Sequence, residues 1–248
     1  MNNPLNNKYG LAELNALKNK YNGHIPDYVY KKLENNYPIQ YLIGDVTFYD
    51  TQLIVDENVL IPRFETEILV ENAIRLINDS QIDNCRVIDI GTGSGAIAIN
   101  IKKNTQALVT ATDISDDALN VAKKNALINN VYISLEKNDI LTASLTMDYD
   151  FIISNPPYVM EDEECSPEIK YEPSIAIFAK NNGLEFYEAI TRQAKNNKRN
   201  HFYIIYEIGR SQKENVINII KTCFPNSKTS CIKDFSNNDR VIISEIFK

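Results

Sequence analysis

The feature that most restricts the fold is a regular alternation of short apolar runs with helical segments after residue 85. Such runs, rich in β-branched and aromatic residues, predict five strands, at residues 86–91, 107–114, 131–139, 149–155 and 201–209. The tail at 229–247 is predicted to form a closing hairpin. Continuous apolar strands that alternate with helices are typical of a mainly parallel sheet covered on both faces, which predicts an α/β fold.

The preceding third of the chain has a different pattern. Residues 1–35 are polar and carry apolar side chains at helical spacing. Residues 41–61 are rich in β-branched and aromatic side chains and are predicted to form a strand pair. A helix is predicted from Pro62 to Asn78, because proline is favoured in the first turn of a helix.

Composition argues against several classes of protein. A net charge of −7 disfavours a general DNA-binding protein, which usually presents a basic face to the phosphates. The four cysteines lack CxxC spacing and there are only two histidines, so neither a metal site nor a histidine-based triad is predicted. No signal peptide and no apolar run of the ~18–20 residues that cross a bilayer are recognised, which predicts a cytoplasmic protein.

The first strand of the alternating region ends in a glycine-rich turn, "DIGTGSG" at 89–95. Glycines there permit a tight turn and a close approach of a ligand to the backbone and the next helix N-terminus. Asp113, 18 residues after Gly95, ends the second strand and could accept both hydroxyl hydrogens of a ribose. The turn also fits a relaxed dinucleotide fingerprint, which leaves NAD open. Two acids favour S-adenosylmethionine over NAD. Asp89 lies two residues before the first glycine, and Asp139, at the end of the third strand, could accept from an adenine amino group.

The fourth strand runs into Asn155-Pro156-Pro157-Tyr158. An amide nitrogen is a poor nucleophile because its lone pair is delocalised into the carbonyl. The Asn155 side-chain oxygen and the Pro156 backbone oxygen could accept both of its hydrogens and so orient it. The prolines would stiffen the loop and Tyr158 would cover the flat face of the amide. Two fixed acceptors would suit the planar amino group of an amide or of an adenine base, and the pattern by itself does not separate the two.

At this point the sequence resembles a known family. "DIGTGSGAIAI", "TDIS", "ND" and "NPPY" are similar to motifs of class I S-adenosylmethionine-dependent methyltransferases. "PIQYLIG", "LIPRFETE", "YEPSIAIFAKNNGLEFY" and "YEIGRSQ" resemble those of the HemK-type release factor glutamine N5-methyltransferases. The resemblance extends from about Pro38 to the C-terminus.

The resemblance implies a Rossmann-like sheet of seven strands with an antiparallel last strand, a small N-terminal helical piece and a connecting β-hairpin. It implies methyl transfer from S-adenosylmethionine, with S-adenosylhomocysteine as product, to the glutamine of the Gly-Gly-Gln motif in peptide chain release factors. The implied catalytic and substrate-binding residues are Asn155, Pro156, Pro157 and Tyr158. The predicted cofactor-binding residues are Asp89, Gly91, Thr92, Gly93, Ser94, Gly95, Asp113, Asp139, Ile140 and Asn155.

Three positions depart from the family pattern. The region before "PIQY" is shorter than the usual helical domain, Phe64 stands where proline is common, and "FAKNNG" replaces a loop richer in glycine and aspartate. The predicted division is a substrate-docking segment at 1–37, a hairpin at 38–62 and a methyltransferase domain at 63–248. We expect a monomer without membrane contact or stable nucleic-acid binding.

Several charged residues in the family-like segments have both a functional and a structural interpretation. Arg63, Glu65 and Glu67 are placed by the resemblance near the cofactor or the substrate entrance, although charges in a first helical turn are ordinary. Glu172-Pro173 and Glu207 are expected to support the loops around the site. Methylation of adenine N6 in nucleic acid remains an alternative function, and NAD-dependent oxidation remains a less favoured one.

Overall fold

The computed structural model describes residues 8–144 and 146–248. A two-stranded hairpin is formed by β1 (Asp45–Phe48) and β2 (Thr51–Ile54). The strands of the main sheet are β3 (Arg86–Ile90), β4 (Leu108–Asp113), β5 (Ser134–Lys137), β6 (Phe151–Ser154), β7 (His201–Glu207), β8 (Lys228–Lys233) and β9 (Asp239–Phe247). Their order is β5-β4-β3-β6-β7-β9-β8, and β9 is antiparallel to both of its neighbours. The α/β class, the mainly parallel sheet and the reversed last strand are confirmed.

Helices cover both faces of this sheet. Those on the sheet are α4 (Phe64–Ser80), α5 (Ala96–Asn104), α6 (Asp116–Ile128), α8 (Glu185–Ala194) and α9 (Lys213–Cys223). The N-terminal piece contains α1 (Leu11–Lys20), α2 (Asp27–Glu34) and α3 (Ile39–Ile43), and the short α7 (Lys180–Gly183) precedes α8. Val87 and Phe151 belong to one buried cluster with α4 and α5, whereas Ile88 and Ile152 belong to another with α8 and α9. This follows from the two-residue period of a strand, which sends successive side chains to opposite faces. No helix within the described ranges is long and apolar enough to span a membrane.

The structure corrects the predicted boundaries in the first third of the chain. The predicted strand pair at 41–61 is reduced to 45–54, because α3 continues to Ile43 and ends at Gly44, which has φ 94°. The predicted helix at Pro62 begins at Phe64, since Arg63 is still extended, and it continues to Ser80. The helical prediction for residues 1–7 lies outside the described residues, and the rest of it is divided between α1 and α2 by a turn at Asn22-Gly23.

The N-terminal helices share a core with the rest of the protein. Leu17, Val29 and Leu33 are fully buried in a cluster that also contains Val121 of α6. The end of α2 also contacts the chain beyond β6, where the hydroxyl of Tyr171 donates to the Asn35 carbonyl at 3.0 Å. The N-terminal piece is therefore packed against α6 and against the segment that follows the NPPY motif.

One buried amide joins the hairpin to the glycine-rich turn. Asn125 of α6 accepts from the Ile54 backbone N–H at 2.7 Å through Oδ1. Its Nδ2 donates to the carbonyls of Ile54 and Ser94 at 2.9 and 2.8 Å. Backbone groups buried without partners are costly, so Asn125 satisfies polar groups that neither the hairpin nor the turn satisfies by itself.

We expect Asn125→Ala to lower the free energy of unfolding by roughly 2–4 kcal/mol, because it leaves three backbone groups without partners. Asn120→Ala, at an exposed position on the same helix, is the matched control and should change stability by about 0.5 kcal/mol or less. Urea unfolding of both variants measures the difference, and equal stabilities would contradict the role assigned to Asn125.

Candidate active site

The carboxyl ends of β3, β4 and β6 border a cavity of about 290 Å³. Ligands of open α/β sheets bind at this edge, where strand order reverses. Most of the predicted site residues line this cavity. They are Gly91, Gly93, Asp113, Asp139, Ile140, Asn155, Pro156 and Pro157. The sheet thus brings together four motifs that lie apart in the sequence: the glycine-rich turn, the end of β4 at Asp113, the segment after β5 and the NPPY motif.

The glycine-rich turn is held in place by the end of β4. The backbone N–H groups of Gly91 and Thr92 both donate to the Thr112 carbonyl at 2.9 Å. Gly91 and Gly93 have φ of 75° and 53°, in the left-handed region that glycine adopts without a Cβ penalty. A Cβ added at either would meet nothing within 4 Å, so open space adjoins the backbone there.

Asp113 connects this turn to the start of α6. Its Oδ2 accepts from the Gly93 N–H at 2.9 Å, and its Oδ1 accepts from the Ser115 N–H at 3.0 Å. Burial raises the pKa of the Asp113 carboxyl, and these backbone hydrogen bonds oppose that shift. Each oxygen keeps a further lone pair, so the carboxylate can still accept hydroxyl hydrogens from a ligand in the cavity.

Four predicted cofactor residues lie outside the cavity wall. They are Asp89, Thr92, Ser94 and Gly95. Asp89 is completely buried and accepts from the Thr92 hydroxyl at 2.7 Å through Oδ2, while its Oδ1 has no partner among the described residues. Burial raises the pKa of Asp89 to about 7. Asp89 therefore supports the glycine-rich turn from within the core, and a direct contact with a cofactor stays a prediction.

The pair Asn138-Asp139 follows β5 at the same cavity. Asp139 already accepts twice, from the Leu141 N–H at 3.0 Å and from the Thr142 hydroxyl at 2.7 Å. Asn138 also lines the cavity, and its Oδ1 is buried without a hydrogen-bond partner in the described part of the chain. Sequence analysis selected Asp139 from this dipeptide and missed Asn138, which presents the more available acceptor.

Asn155 stands between two cavities. A second cavity of about 100 Å³ shares Asn155, Pro156 and Pro157 with the first and is also lined by Arg63 and Glu207. The Asn155 Nδ2 donates to the Thr66 hydroxyl at 3.1 Å. No hydrogen bond reaches the Asn155 Oδ1 or the Pro156 carbonyl from residues 8–144 or 146–248. Two carbonyl oxygens at the junction are thus free to accept from a ligand.

The backbone after the prolines is held by Gln212, a residue that sequence analysis missed. Its Nε2 donates to the carbonyls of Tyr158 and Gly183 at 3.1 and 3.3 Å, and its Oε1 accepts from the Gly209 N–H at 2.9 Å. A Cβ at Gly183 would lie 2.2 Å from the Tyr158 carbonyl oxygen. The motif "YEIGRSQ" contains this glutamine, but its target is 54 residues away and only the fold reveals it.

Arg63 and Glu172 form an ion pair beside the second cavity. The Arg63 guanidinium donates to Glu172 at 2.5 Å, and the other Glu172 oxygen accepts from the Ile61 N–H at 3.1 Å. The Glu172 side chain is only 1% exposed, whereas Arg63 is 37% exposed. Glu172 therefore supports the segment that contains Ile61 and Arg63, as expected from the sequence. Glu67 accepts from the Tyr49 N–H at 2.8 Å and joins α4 to the hairpin.

Comparison with known proteins places these features in a family. The family model described as "Methyltransferase small domain" matches residues 65–170. A release factor glutamine methyltransferase of Lactococcus lactis is 41% identical over 218 residues, which cover 86% of this chain and 79% of that protein. A protein of the same name from Flavobacterium psychrophilum is 43% identical over 219 residues, covering 85% and 76%.

A solved structure shows the same fold at low identity. The ribosomal protein L11 methylase of Lactobacillus delbrueckii subsp. bulgaricus has a TM-score of 0.57 and 18% identity, with 83% of this chain and all of that chain covered. The sheet order, the glycine-rich turn and the NPPY motif together define a class I methyltransferase. The chain belongs to the release factor glutamine methyltransferase family. The alternatives of nucleic-acid methylation and NAD-dependent oxidation are not favoured.

The cavity fits S-adenosylmethionine, the cofactor of this class. Open space adjoins the backbone of Gly91 and Gly93, as the close approach of a ligand requires. The Asp113 carboxylate at the end of β4 suits a ribose, and the unpartnered Asn138 oxygen suits an N–H donor such as an adenine amino group.

We expect Gly183→Ala to lower methyl transfer strongly, because the new Cβ displaces the Tyr158 carbonyl and with it the loop that carries the prolines. Gly23→Ala is the matched control, since Gly23 also has positive φ but a Cβ there meets nothing within 4 Å. Both changes should cost about 1 kcal/mol of backbone strain. Steady-state kinetics and thermal unfolding separate the two effects, and equal activity of the variants would contradict the proposed clash.

We expect Asp89→Asn to gain stability relative to the unchanged protein as pH rises. The folded pKa of about 7 exceeds the ordinary value of 3.8, so the stability contributed by protonated Asp89 is lost as pH rises towards 7. The asparagine carries no charge at any pH. Between pH 5.5 and 8 the difference in free energy of unfolding should shift towards the variant by about 2 kcal/mol. Urea unfolding at both pH values measures it, and a constant difference would contradict the burial argument.

Proposed function

We propose that Asn155 and Pro156 hold the side-chain amide of a release factor glutamine at the junction of the two cavities. The enzyme is an S-adenosylmethionine-dependent methyltransferase that acts on a glutamine of release factors. The observation that carries the proposal is a pair of oxygens that accept no hydrogen bond from the described residues, Asn155 Oδ1 and the Pro156 carbonyl, on residues that line both the larger and the smaller cavity. We assign the smaller cavity to the glutamine side chain of a Gly-Gly-Gln motif.

Each residue of the loop has a separate task in this proposal. Asn155 Oδ1 and the Pro156 carbonyl accept the two N–H groups of the glutamine and turn its nitrogen towards the larger cavity. Pro156 and Pro157 fix φ and lack N–H donors, so these carbonyls are not drawn into a helix. Burial raises the pKa of the Tyr158 phenol, which stays protonated and covers the amide against water.

The larger cavity holds the methyl donor in this arrangement. S-adenosylmethionine supplies a methyl group on a positively charged sulfur, and the transfer yields N5-methylglutamine, S-adenosylhomocysteine and a proton. Asp113 would accept from the ribose, while Asn138, Asp139 and Ile140 would border the adenine. The protein's main contribution is position, which supplies up to ~7–11 kcal/mol in well-oriented reactions.

The division of the chain and its setting are also proposals. We assign residues 1–37 to substrate docking, 38–62 to a connector that contains α3 and the β1–β2 hairpin, and 63–248 to methyl transfer. The contact of Tyr171 with Asn35 supports this assignment, because it links the N-terminal helices to the segment beside the site. A release factor substrate suits a cytoplasmic enzyme, and we propose that it acts as a monomer without stable nucleic-acid binding.

The proposal is tested with radiolabelled S-adenosylmethionine and release factor from the same cell. Label should enter the normal factor and should be absent when the Gly-Gly-Gln glutamine is changed to alanine. Asn155→Ala should lower the rate by at least about 100-fold, because it removes an oriented acceptor at the reacting nitrogen. Retention of S-adenosylmethionine by that variant, measured by calorimetry, confirms that the larger cavity remains intact.

A parallel reaction with total RNA and DNA addresses the nucleic-acid alternative. Labelled nucleic acid with an unlabelled factor would replace the glutamine assignment. A steep fall of that labelling with salt would identify phosphate contacts as its cause.

A further inference from the structure

A chain of buried hydrogen bonds leads from Asn155 into the core. The Asn155 Nδ2 donates to the Thr66 hydroxyl at 3.1 Å, and the Thr66 hydroxyl donates to Glu207 Oε2 at 2.6 Å. Thr66 is 4% exposed and Glu207 is 1% exposed. Thr66 lies in the first turn of α4 and Glu207 ends β7, so two separate elements position one side chain of the NPPY loop.

While the Glu207 carboxyl is ionised, chemistry fixes the direction of these hydrogen bonds. An ionised carboxylate can only accept, so the single hydroxyl hydrogen of Thr66 goes to Glu207. The Thr66 oxygen can then only accept from its other neighbour, which must present an N–H group. Asn155 therefore turns Nδ2 towards Thr66, and its Oδ1 faces away from this chain of hydrogen bonds.

We propose that Thr66 and Glu207 are positioning residues that lock the Asn155 amide with its oxygen towards the substrate. The site then selects a substrate group that donates N–H, such as a glutamine amide, and rejects one that only accepts. This inference rests on the proposed role of Asn155. It also explains why position 155 holds asparagine, because an aspartate would offer Thr66 a second acceptor and no donor.

We call the hydrogen-bonded set Asn155–Thr66–Glu207 the lock. The surroundings of Glu207 make this lock sensitive to pH. The charged and titratable groups around Glu207 are Arg240, Glu65 and the phenols of Tyr158 and Tyr187, and Arg63 lines the same small cavity. Burial raises the pKa of Glu207 to about 7, and the Thr66 hydroxyl and Arg240 oppose the shift. Below this pH the carboxyl carries a hydrogen that it can donate to Thr66, so the direction of the chain is no longer fixed. The rate should fall as pH drops through about 7.

Thr66→Val tests the lock directly, because valine keeps the shape and removes the hydroxyl. We expect kcat to fall by about 10–100-fold, the effect of losing a hydrogen bond that involves a charged group, with KM for S-adenosylmethionine unchanged. Thr66→Ser should restore kcat to within about threefold, since it keeps the hydroxyl. Thr191→Val, which removes another buried hydroxyl, one that contacts Tyr206, is the matched control and should keep kcat. A Thr66→Val enzyme with unchanged kcat would overturn the proposal.

A second test reverses the direction of the hydrogen bonds between Asn155, Thr66 and Glu207. It compares two further variants, so it does not depend on the folding of Thr66→Val. Asn155→Asp should be poorly active, because aspartate and Glu207 both require the one hydrogen of Thr66. Adding Glu207→Gln supplies an N–H that can donate to Thr66, which frees the hydroxyl hydrogen for the aspartate. The double variant should therefore be at least about tenfold more active than Asn155→Asp alone. An equally poor double variant would overturn the lock.

The pH profile separates the lock from a general structural effect. In the Glu207→Gln enzyme the fall in rate near pH 7 should disappear, and its persistence would contradict the role of Glu207. Asn155→Ala distinguishes a failure of the proposed role of Asn155 from a failure of the lock in which Thr66 and Glu207 hold it. If that variant remains active, the proposed role of Asn155 fails. If it is inactive while Thr66→Val equals the unchanged enzyme, only the lock fails.

Discussion

The parallel pairing of β3 with β6 is the constraint on which the rest of the site depends. It places Asp89 opposite Ile153, so that both strands end at the same edge of the sheet. The Ser154 hydroxyl then donates to the Ile90 carbonyl at 2.6 Å and joins the last residues of the two strands. A cavity bordered on one side by the glycine-rich turn and on the other by Asn155 follows directly. Residues 64 positions apart, such as Ile90 and Ser154, become neighbours because parallel strands share their direction.

The loop after β6 is organised by the partners of its carbonyl groups. The Tyr158 carbonyl accepts from Gln212, and the Val159 carbonyl accepts from the Ala179 N–H at 2.9 Å. The Pro156 carbonyl accepts from none of the described residues. Buried backbone oxygens nearly always accept a hydrogen bond. A buried oxygen beside a cavity that accepts none from the protein is therefore suited to accept one from a ligand. The Val159 N–H, which follows in the same loop, is used elsewhere, because it donates to the Ile177 carbonyl at 3.0 Å.

The sequence predicts what depends on local chemistry and misses what depends on distant contacts. The glycine-rich turn, Asp113 and NPPY were found because their residue types suit the ends of parallel strands. Thr66 was missed because it lies inside an ordinary first helical turn, 89 residues from Asn155. Asn138 was passed over for Asp139, whose oxygens the following turn already uses. The strand pair at 41–61 was too long, because an apolar run alone does not separate a short helix such as α3 from a strand.

The buried Glu207 carboxyl lowers the stability of the folded protein, and its role in orienting the Asn155 amide explains why it is retained. A carboxyl that is 1% exposed and has a raised pKa destabilises the folded state at neutral pH relative to a neutral side chain. Glutamine would fit the same volume without that cost, but its amide could present either an oxygen or an N–H to Thr66. Only an ionised carboxylate leaves Thr66 one direction in which to donate. On the proposed lock, the charge is retained in the core because it makes the orientation of the Asn155 amide unique.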